Sequence, residues 1–488
     1  MIRQFIYKEI VESMSGPKFL ITLAISTALI IISVYSGFLL YEAESKWHAT
    51  AVAESDKAMI NAGSYGVLKS SGAKAIRQPS RMSIFIKGVD SIIGKAAKVG
   101  EEPEIVLRDS RFGLNPVFAT FGELDLAFIV KMILSLFALL FSYNAISGER
   151  EMGTLKQVFS NSVGRVSFIV GKSIGGLFTL LVPFIVPLLM SLLMLMVFFN
   201  VSFTGDEWAR IGLMSLVFFL YLAVFYMVGM MMSALTRNSF VSFLLCLFVW
   251  VLSVAIIPKA AVEAAGQISP APSIDAIEAQ RASLRRDYYT SLKEITTKKI
   301  NDYIAANSVP DRDQYSQLRG EAEREAREPV VAAEEAMLRE YERRQVQLLN
   351  TATTLARFSP TACVIFAANR ISGTDANLRE NFLRSLRRYR DEFIRFADQK
   401  IKDNPEQAQS GVSSSLSVND DGSGVQIDFS MRVPEFTLNV AGMPNFEIEK
   451  EGLAESAVAI LPDIAVLALL FIAAFAAAFV AYLRYDVR

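Results

Sequence analysis

The residues of this sequence best suited to chemistry are charged side chains at the edges of long apolar runs. The most compact group lies in SGEREMGTLKQVFSNSVGR, residues 147–165, where Glu149 and Glu151 stand between two apolar runs. Lys131 and Asp463 lie within other apolar runs. An ionisable group in hydrocarbon is costly and often functional. These residue types at these positions predict electrostatic contacts rather than the breaking of covalent bonds.

Lys131 and Asp463 are candidates for an intramembrane charge pair. Lys131 follows Asp125 by roughly one and a half helical turns, and Asp463 lies near the start of the last apolar run. One interpretation pairs the two side chains at the outer rim of a pore or a dimer seam. The other has each side chain extend separately to the membrane surface. The sequence leaves both interpretations open.

Sequence motifs for catalysis, metal binding and nucleotide binding are lacking. GRVSFIVGKS, residues 164–173, resembles a phosphate-binding loop, but Val166 stands where such a loop has its first glycine. Cys246 and Cys363 lie far apart without zinc-type spacing. Cys363 could form an intermolecular disulfide if it is exposed on the outer side, but we expect a buried free thiol. His48 is the single histidine. We therefore predict a chain that is not an enzyme and has no catalytic residues, metal or cofactor of its own.

The composition favours a protein embedded in lipid. Of the 488 residues, 52% are hydrophobic, and the mean hydropathy is +0.34. Soluble domains are usually less apolar than this. The formal net charge of −1 excludes the basic excess that nucleic-acid binding requires, so no nucleic-acid partner is expected.

Six apolar windows are long enough to cross a bilayer, which takes about 20 residues of helix. They are residues 18–40, 126–146, 173–199, 211–235, 240–257 and 460–483. We interpret the first as a retained span rather than a cleaved signal peptide, because it is long and lacks a clear cleavage site. Six spans place both termini on the same side.

The distribution of lysine and arginine predicts which side is cytoplasmic, because short cytoplasmic segments carry the positive excess. The residues that share one face are Arg3, Lys8, Lys18, Arg150, Lys156, Arg165, Arg237, Arg484 and Arg488. The connector TGDEWAR, on the other face, has two acids against one arginine. Residues 147–165 and both termini are therefore predicted to be cytoplasmic, and residues 41–125 and 258–459 to be extracytoplasmic.

The N-terminal 17 residues predict a short amphipathic helix of their own. Ile2, Phe5, Ile6 and Ile10 recur at helical spacing, which suits a helix lying at the cytoplasmic interface. The alternative is a plain extension of the first span, but Gly16 and Pro17 mark a break.

Pro183 and Pro187 fall inside the third span, in LVPFIVPLLM. Prolines leave backbone carbonyls without their helical donors and kink a helix. The kink could serve gating or plain packing, and packing is the simpler interpretation.

The long segment 258–459 predicts a mostly helical extracytoplasmic domain. Apolar residues at helical spacing predict one helix up to the break SVPDRDQ and a second after Pro329, which together make a long antiparallel hairpin. NLRENFLRSLRRYRDEFIRF predicts a third helix, and alternation on both sides of Asp421-Gly422 predicts a small β element. We expect these parts and the first outer segment to form one domain. The fold class is thus an all-α membrane protein of six transmembrane helices with an N-terminal amphipathic elbow helix.

The segment from DLAFIVKMIL through SGEREMGTL to GRVSFIVGK resembles the permeases of the ABC-2 type superfamily, particularly nitrous-oxide-accessory and gliding-motility export permeases. RFSPTACVIFAANRISGTD and the terminal LRYDVR are similar to segments of the same family. The resemblance covers all six spans and is most specific at residues 148–155. The outer insertion is much larger than in minimal exporters.

This resemblance implies a cytoplasmic coupling helix, residues 147–165, that docks into a separate ATPase. Its coupling residues would be Gly148, Glu149, Arg150, Glu151, Gly153, Thr154 and Leu155. The acids and the arginine would fit a groove on the soluble partner, and the glycines would allow a tight backbone path. The alternative is a positively charged loop whose acids are incidental.

The predicted function is that of a permease subunit in the bacterial cytoplasmic (inner) membrane, which exports an amphiphilic or hydrophobic substrate. Its predicted partners are the lipid bilayer, a second permease subunit (identical or paralogous), and cytoplasmic ATPase subunits that bind the ATP and magnesium. The alternative is a mechanotransmission or tethering protein that relays ATPase motion to an extracytoplasmic partner without transporting cargo. The sequence does not distinguish these functions.

Overall fold

The computed structural model describes residues 2–100, 107–108, 124–154, 164–307, 310, 312–405, 411–418, 425–432, 437–449 and 451–484. Several features of the sequence fall outside these ranges. They are Leu155 and the rest of the predicted coupling helix up to residue 163, the turn Asp421-Gly422, and the last four residues.

Six helices in the described chain are long and apolar enough to cross a membrane, which confirms the predicted number and the all-α membrane class. They are Pro17–Ile60, Leu126–Glu151, Arg165–Phe198, Gly205–Leu235, Ser239–Ile268 and Leu461–Leu483. The first helix continues well beyond the predicted end at residue 40, because no glycine or proline interrupts the polar sequence that follows. We refer to these helices as spans one to six.

The elements are numbered along the chain. The helices are α1 (Ile2–Met14), α2 (Pro17–Ile60), α3 (Tyr65–Ser71), α4 (Leu126–Phe128), α5 (Ser135–Ser142), α6 (Ser147–Glu151), α7 (Arg165–Phe198), α8 (Gly205–Leu235), α9 (Ser239–Val251), α10 (Ile257–Ile268), α11 (Ile274–Ala306), α12 (Arg312–Ala356), α13 (Pro360–Ser372), α14 (Asn377–Asp403), α15 (Leu453–Ala459) and α16 (Leu461–Leu483). The strands are β1 (Ala73–Ile76), β2 (Ala96–Val99), β3 (Leu107–Arg108), β4 (Gly411–Val418) and β5 (Val425–Arg432).

The fourth span, α8, lies at the centre of the bundle. It packs against α5, α7, α9 and α16, and its aromatic residues Tyr221 and Tyr226 are completely buried. Glycines allow the closest approaches. A Cβ on Gly176 of α7 would lie 1.7 Å from the hydroxyl of Tyr226, and a Cβ on Gly229 of α8 would lie 1.9 Å from Oγ of Ser142.

Three of the spans depart from regular α-helix. Span two contains the π-helical turn Ile129–Leu134 between α4 and α5. Span five contains the π-helical turn Leu252–Ile256 after α9. Span three, α7, continues through both Pro183 and Pro187. Such turns and prolines are the places where helices bend.

A hydrophobic core lies between α3, β1, β2 and α14, and Met59 at the end of span one belongs to it. The strands form an antiparallel sheet in the order β1-β2-β3, with Ala73 opposite Val99. The predicted face of α14 is confirmed, because Phe382, Leu386 and Phe393 are buried in this core. We call α3, the three strands and α14 the sheet domain. Its strands were not predicted, because runs of four residues or fewer are too short to show alternation.

Residues 252–362 form a second compact unit. In it, α11 and α12 pack together as the predicted helical hairpin, and α10 packs against α12. The second hairpin helix was predicted to start after Pro329, but α12 begins at Arg312 and continues through the proline. The carbonyl of Glu325, which loses its helical donor there, belongs to an exposed residue and can bind water instead. The hairpin thus forms a unit distinct from the one that contains the sheet domain, instead of joining one outer domain.

The predicted β element is confirmed, since β4 and β5 pair antiparallel from Gly411–Arg432 to Val418–Val425. The separate N-terminal helix is also confirmed. It ends at Met14, and Pro17 opens α2 after a short turn.

Candidate functional site

The segment 147–154 begins against the C-terminal end of α8. The backbone amides of Ile146 and Ser147 both donate to Oγ of Ser233, each at 2.9 Å. Oγ of Ser147 lies 3.1 Å from the hydroxyl oxygens of both Ser233 and Ser239. Amides at the start of a helix lack intrahelical acceptors, so Ser233 supplies from α8 the cap that α6 does not have in its own sequence.

Arg150 and Glu151 bind the connection between spans four and five. Nη1 of Arg150 donates to the carbonyl of Thr236 at 2.8 Å. The Glu151 carboxylate accepts from the Ser239 backbone amide at 2.9 Å and from its hydroxyl at 2.7 Å. Since Ser239 is the first residue of α9, the carboxylate also lies at the positive end of that helix dipole.

Glu149 belongs to a three-residue charge cluster with Lys172 of α7 and Glu9 of α1. Nζ of Lys172 lies 3.0 Å from the Glu9 carboxylate and 3.2 Å from the Glu149 carboxylate. The hydroxyl of Thr154 donates to Glu149 at 2.6 Å. Burial raises the pKa of Glu9, and attraction to Lys172 opposes that rise. The cluster thus joins the segment 147–154 to both the N-terminal helix and span three.

The exposed part of the segment is small. Met152 is 71% exposed, and Glu151 and Gly153 are exposed beside it. Gly153 has a φ of 73°, which favours glycine strongly. A Cβ on Gly148 would instead meet only the side chain of Asn144 at ordinary contact distance, 3.6 Å or more.

The predicted coupling residues therefore have two kinds of position. Glu149, Arg150 and Thr154 are partly buried and bind residues of their own chain. Glu151 binds Ser239 but is exposed, as is Met152, which the sequence did not single out. Whether the charged residues also contact an ATPase stays a prediction. Leu155 lies outside the described residues.

The remaining predicted site residues lie within the spans. Nζ of Lys131 lies 5.6 Å from the ring centroid of Phe128, and its backbone carbonyl accepts a hydrogen bond from Tyr221. Asp463 is buried in the first turn of α16. The pairing of Lys131 with Asp463 stays a prediction. The same holds for the kink at Pro183 and Pro187, which are both buried inside α7.

Sequence reasoning missed the partners that organise the site: Glu9, Lys172 and Ser233. Lys172 had a signal, since it is a lone lysine next to a predicted span, but we considered it only as part of a phosphate-binding loop. It lies inside α7, and its ammonium binds carboxylates. Glu9 and Ser233 gave no signal, because their role depends on tertiary contacts.

Neither metal nor thiol chemistry is indicated in the part of the chain that the structure describes. It contains no group of three or more His, Cys, Asp or Glu residues placed to hold a metal. Cys246 and Cys363 are both buried and neither forms a disulfide in the described chain, as expected for Cys363. The contacts of the site described above are hydrogen bonds and ion pairs.

Comparison with known proteins shows the family of this chain. The profile of the family described as ABC-2 family transporter protein matches residues 5–487, which is nearly the whole chain. No curated protein matches the sequence significantly. Members of the family are generally non-catalytic membrane subunits. The chain therefore belongs to the ABC-2 transporter family and is a multi-pass permease subunit of an ABC transporter.

Proposed function

We propose that this permease couples ATP hydrolysis by separate cytoplasmic ATPase subunits to the export of an amphiphilic or hydrophobic substrate, and that the segment 147–154 receives the ATPase. One observation carries the proposal. The segment binds α7, α8 and the start of α9, and reaches α1 through Lys172, yet presents Met152 and its neighbours to solvent.

This arrangement suits a part that must move together with the spans. Hydrogen bonds that involve a charged group are stronger than those between neutral groups, and the segment makes such bonds through Glu149, Arg150 and Glu151. A force applied at Met152 would therefore shift α6 and the inner ends of its neighbours as a body. In this proposal, both termini and the segment 147–154 are cytoplasmic, in the inner membrane of a bacterium. A second permease subunit, identical or paralogous, completes the transporter.

Substitution of Met152 tests the proposed docking. Met152→Asp removes an exposed apolar side chain that makes no intramolecular contact described above, so the fold should persist while ATPase association fails. Glu149→Lys is a poorer test, because it would place a second cation beside Lys172 and disturb the charge cluster. The matched control is Ile92→Asp, since Ile92 is 59% exposed and lies before the sheet strand β2.

The measurement is co-purification of the cognate ATPase and its hydrolysis rate with the permease in lipid nanodiscs. We expect Met152→Asp to lose both association and stimulation, and Ile92→Asp to keep both. Unchanged association of Met152→Asp would exclude the segment as the docking element.

Relay of motion to an extracytoplasmic partner, without cargo, is the second candidate function. It is favoured by one observation: α8 binds the segment 147–154 at one end and residues adjoining the sheet domain at the other. Uptake of a fluorescent amphiphile into inside-out vesicles separates the two functions. ATP-dependent accumulation supports export, whereas stimulated hydrolysis with no accumulation of any amphiphile tested supports relay.

A further inference from the structure

The fourth span is bound at its C-terminal end by the segment 147–154. Ser233 accepts two backbone hydrogen bonds from Ile146 and Ser147, and the carbonyl of Thr236 accepts one from Arg150. These contacts tie the last turn of α8 to the residues that we propose receive the ATPase.

Arg210 joins separate parts of the chain at the opposite end of α8. Its Nη1 donates to the carbonyl of Ile371, at the C-terminal end of α13, at 2.7 Å. Its Nη2 donates to the carbonyl of Glu451 at 2.6 Å, and its Nε donates to Asp206 at 2.7 Å. The residue is only 8% exposed. A guanidinium is the side-chain group that carries several donors in a fixed plane, so lysine could not serve these acceptors together.

The acceptors of Arg210 are in turn attached to the sheet domain. The carboxylate of Glu451 binds Arg370 at 2.9 Å and accepts from the side-chain amide of Asn381, in α14, at 3.3 Å. Close to Ile371, the carbonyl of Thr374 accepts from the backbone amide of Val89 at 2.9 Å. Movement of Arg210 would therefore move the edge of the sheet domain.

A second contact reinforces the N-terminal end of α8. Thr204 and Glu207 form a reciprocal capping box, which fixes the first turn. The same Glu207 lies 3.4 Å from Arg81, in the short 3₁₀ helix between β1 and β2. Both the chain before span two and the chain after span five thus contact this turn.

The helix between these two ends is regular. The 31 residues of α8 contain neither proline nor a π-helical turn, unlike spans two, three and five. Of its most apolar 18-residue window, 61% is buried, against 50% or less in the other spans of the described chain. At 1.5 Å per residue, it is about 46 Å long.

We infer that α8 is a connecting rod that transmits displacement of the segment 147–154 to the sheet domain, and that Arg210 is the positioning residue at its far end. The direction of this coupling rests on the proposed function, in which an ATPase displaces the segment. The mechanical link itself is a property of this chain alone.

Hydrogen exchange of the full-length permease in nanodiscs, without any ATPase, tests the link. Arg210→Met removes the contacts at one end of α8, and we expect amide exchange of residues 146–153 at the other end to accelerate by about fivefold or more, the lower range of allosteric coupling. The reciprocal variant Ser233→Ala should accelerate exchange at residues 371–374 and 452–456, so the test does not depend on the folding of one variant.

Arg77→Met is the matched control. Arg77 forms a buried ion pair with Asp90 beside the strand β1, and neither residue belongs to α8. This variant should accelerate exchange in residues 73–99 and leave residues 146–153 unchanged. Local acceleration alone in both the Arg210 and Ser233 variants would overturn the inference, as would an equal distant effect in Arg77→Met, which would indicate general loosening.

Failure of the link and failure of the proposed function can be told apart. If the Arg210 and Ser233 variants show distant acceleration of exchange while Met152→Asp still binds the ATPase, the connecting rod is supported and the docking proposal is refuted. If Met152→Asp loses the ATPase while the Arg210 and Ser233 variants show only local acceleration, docking is supported and the connecting rod is refuted.

Discussion

Replacing Lys172 by methionine should strongly destabilise this permease, because two carboxylates would lose their shared cation. Nζ of Lys172 lies 3.0 Å from Glu9 and 3.2 Å from Glu149, and the three side chains are 10%, 17% and 13% exposed, respectively. Removing one partner of a buried ion pair costs about 3–5 kcal/mol. Since none of the three side chains is completely enclosed, we expect the lower end of this range, about 3 kcal/mol.

The measurement is the free energy of unfolding in mixed detergent micelles. Lys8→Met is the control, because Lys8 is on the same helix as Glu9 but 62% exposed, and its loss should cost no more than about 0.5 kcal/mol. The triple variant Lys172→Met/Glu9→Gln/Glu149→Gln should recover most of the deficit, since it leaves no unpaired buried charge. A triple variant as unstable as Lys172→Met would refute the electrostatic reasoning and indicate that the lysine acts by packing.

The deficit of Lys172→Met should also depend on pH. Burial raises the pKa of Glu9, and attraction to Lys172 opposes the rise. Without the lysine, burial acts with less opposition, so the folded-state pKa lies further above the unfolded one. A carboxyl with a raised folded-state pKa binds more protons when folded, and its contribution to stability falls as pH rises between the two values. The deficit should therefore be smaller at about pH 5 than at about pH 8, and an equal deficit would contradict this reasoning.

Three further predictions concern packing, backbone strain and a surface ion pair. Gly176→Ala should cost about 1–3 kcal/mol of unfolding free energy, because the new Cβ would lie 1.7 Å from the hydroxyl of Tyr226. Gly153→Ala should cost about 1–2 kcal/mol of unfolding free energy, because residue 153 has a φ of 73°; no atom lies within 4 Å of the new Cβ, so no steric clash adds to this cost. The same unfolding assay can compare Gly153→Ala with Gly153→Asn. The pKa of Glu340 is lowered to about 2 by hydrogen bonds from Arg343 and its neighbour. The contribution of Glu340 to stability is present above the pKa of the unfolded state and is lost as pH falls towards the pKa of the folded state. In Arg343→Gln, a carbon-13 titration should show the pKa of Glu340 return towards 4.5.

The spans and the helical hairpin could be predicted from sequence because each depends on a periodic or continuous pattern. An apolar run of about 20 residues has few alternatives to a membrane helix, and the face of α14 that carries Phe382 and Phe393 follows the helical period. The strands β1 and β2 could not be predicted, because AKAI and AAKV become strands only by pairing with each other.

The candidate site was located from sequence, but its contacts were not. The resemblance to a family indicated residues 147–165, and the charged residues there suggested an outward-facing binding surface. Their partners come from α7 and from the connection that follows α8, which are distant in sequence: Glu149 binds Lys172, and Arg150 binds the carbonyl of Thr236. A sequence shows that a charge is present near a membrane, but only tertiary structure shows whether it faces its own chain or the solvent.

This difference changes what the proposed ATPase contact would consist of. If charges of the segment 147–154 fitted a groove on the ATPase, association should weaken steeply with ionic strength, because exposed charges are screened over about 8–10 Å. In the structure, Glu149, Arg150 and Glu151 all have intramolecular partners, and Met152 is the exposed apolar side chain of the segment. Contact through a methionine and adjacent backbone depends on apolar area and shape, which salt does not weaken. The charged residues would then set where Met152 stands and how firmly it is attached to the spans, while the partner recognises the methionine itself.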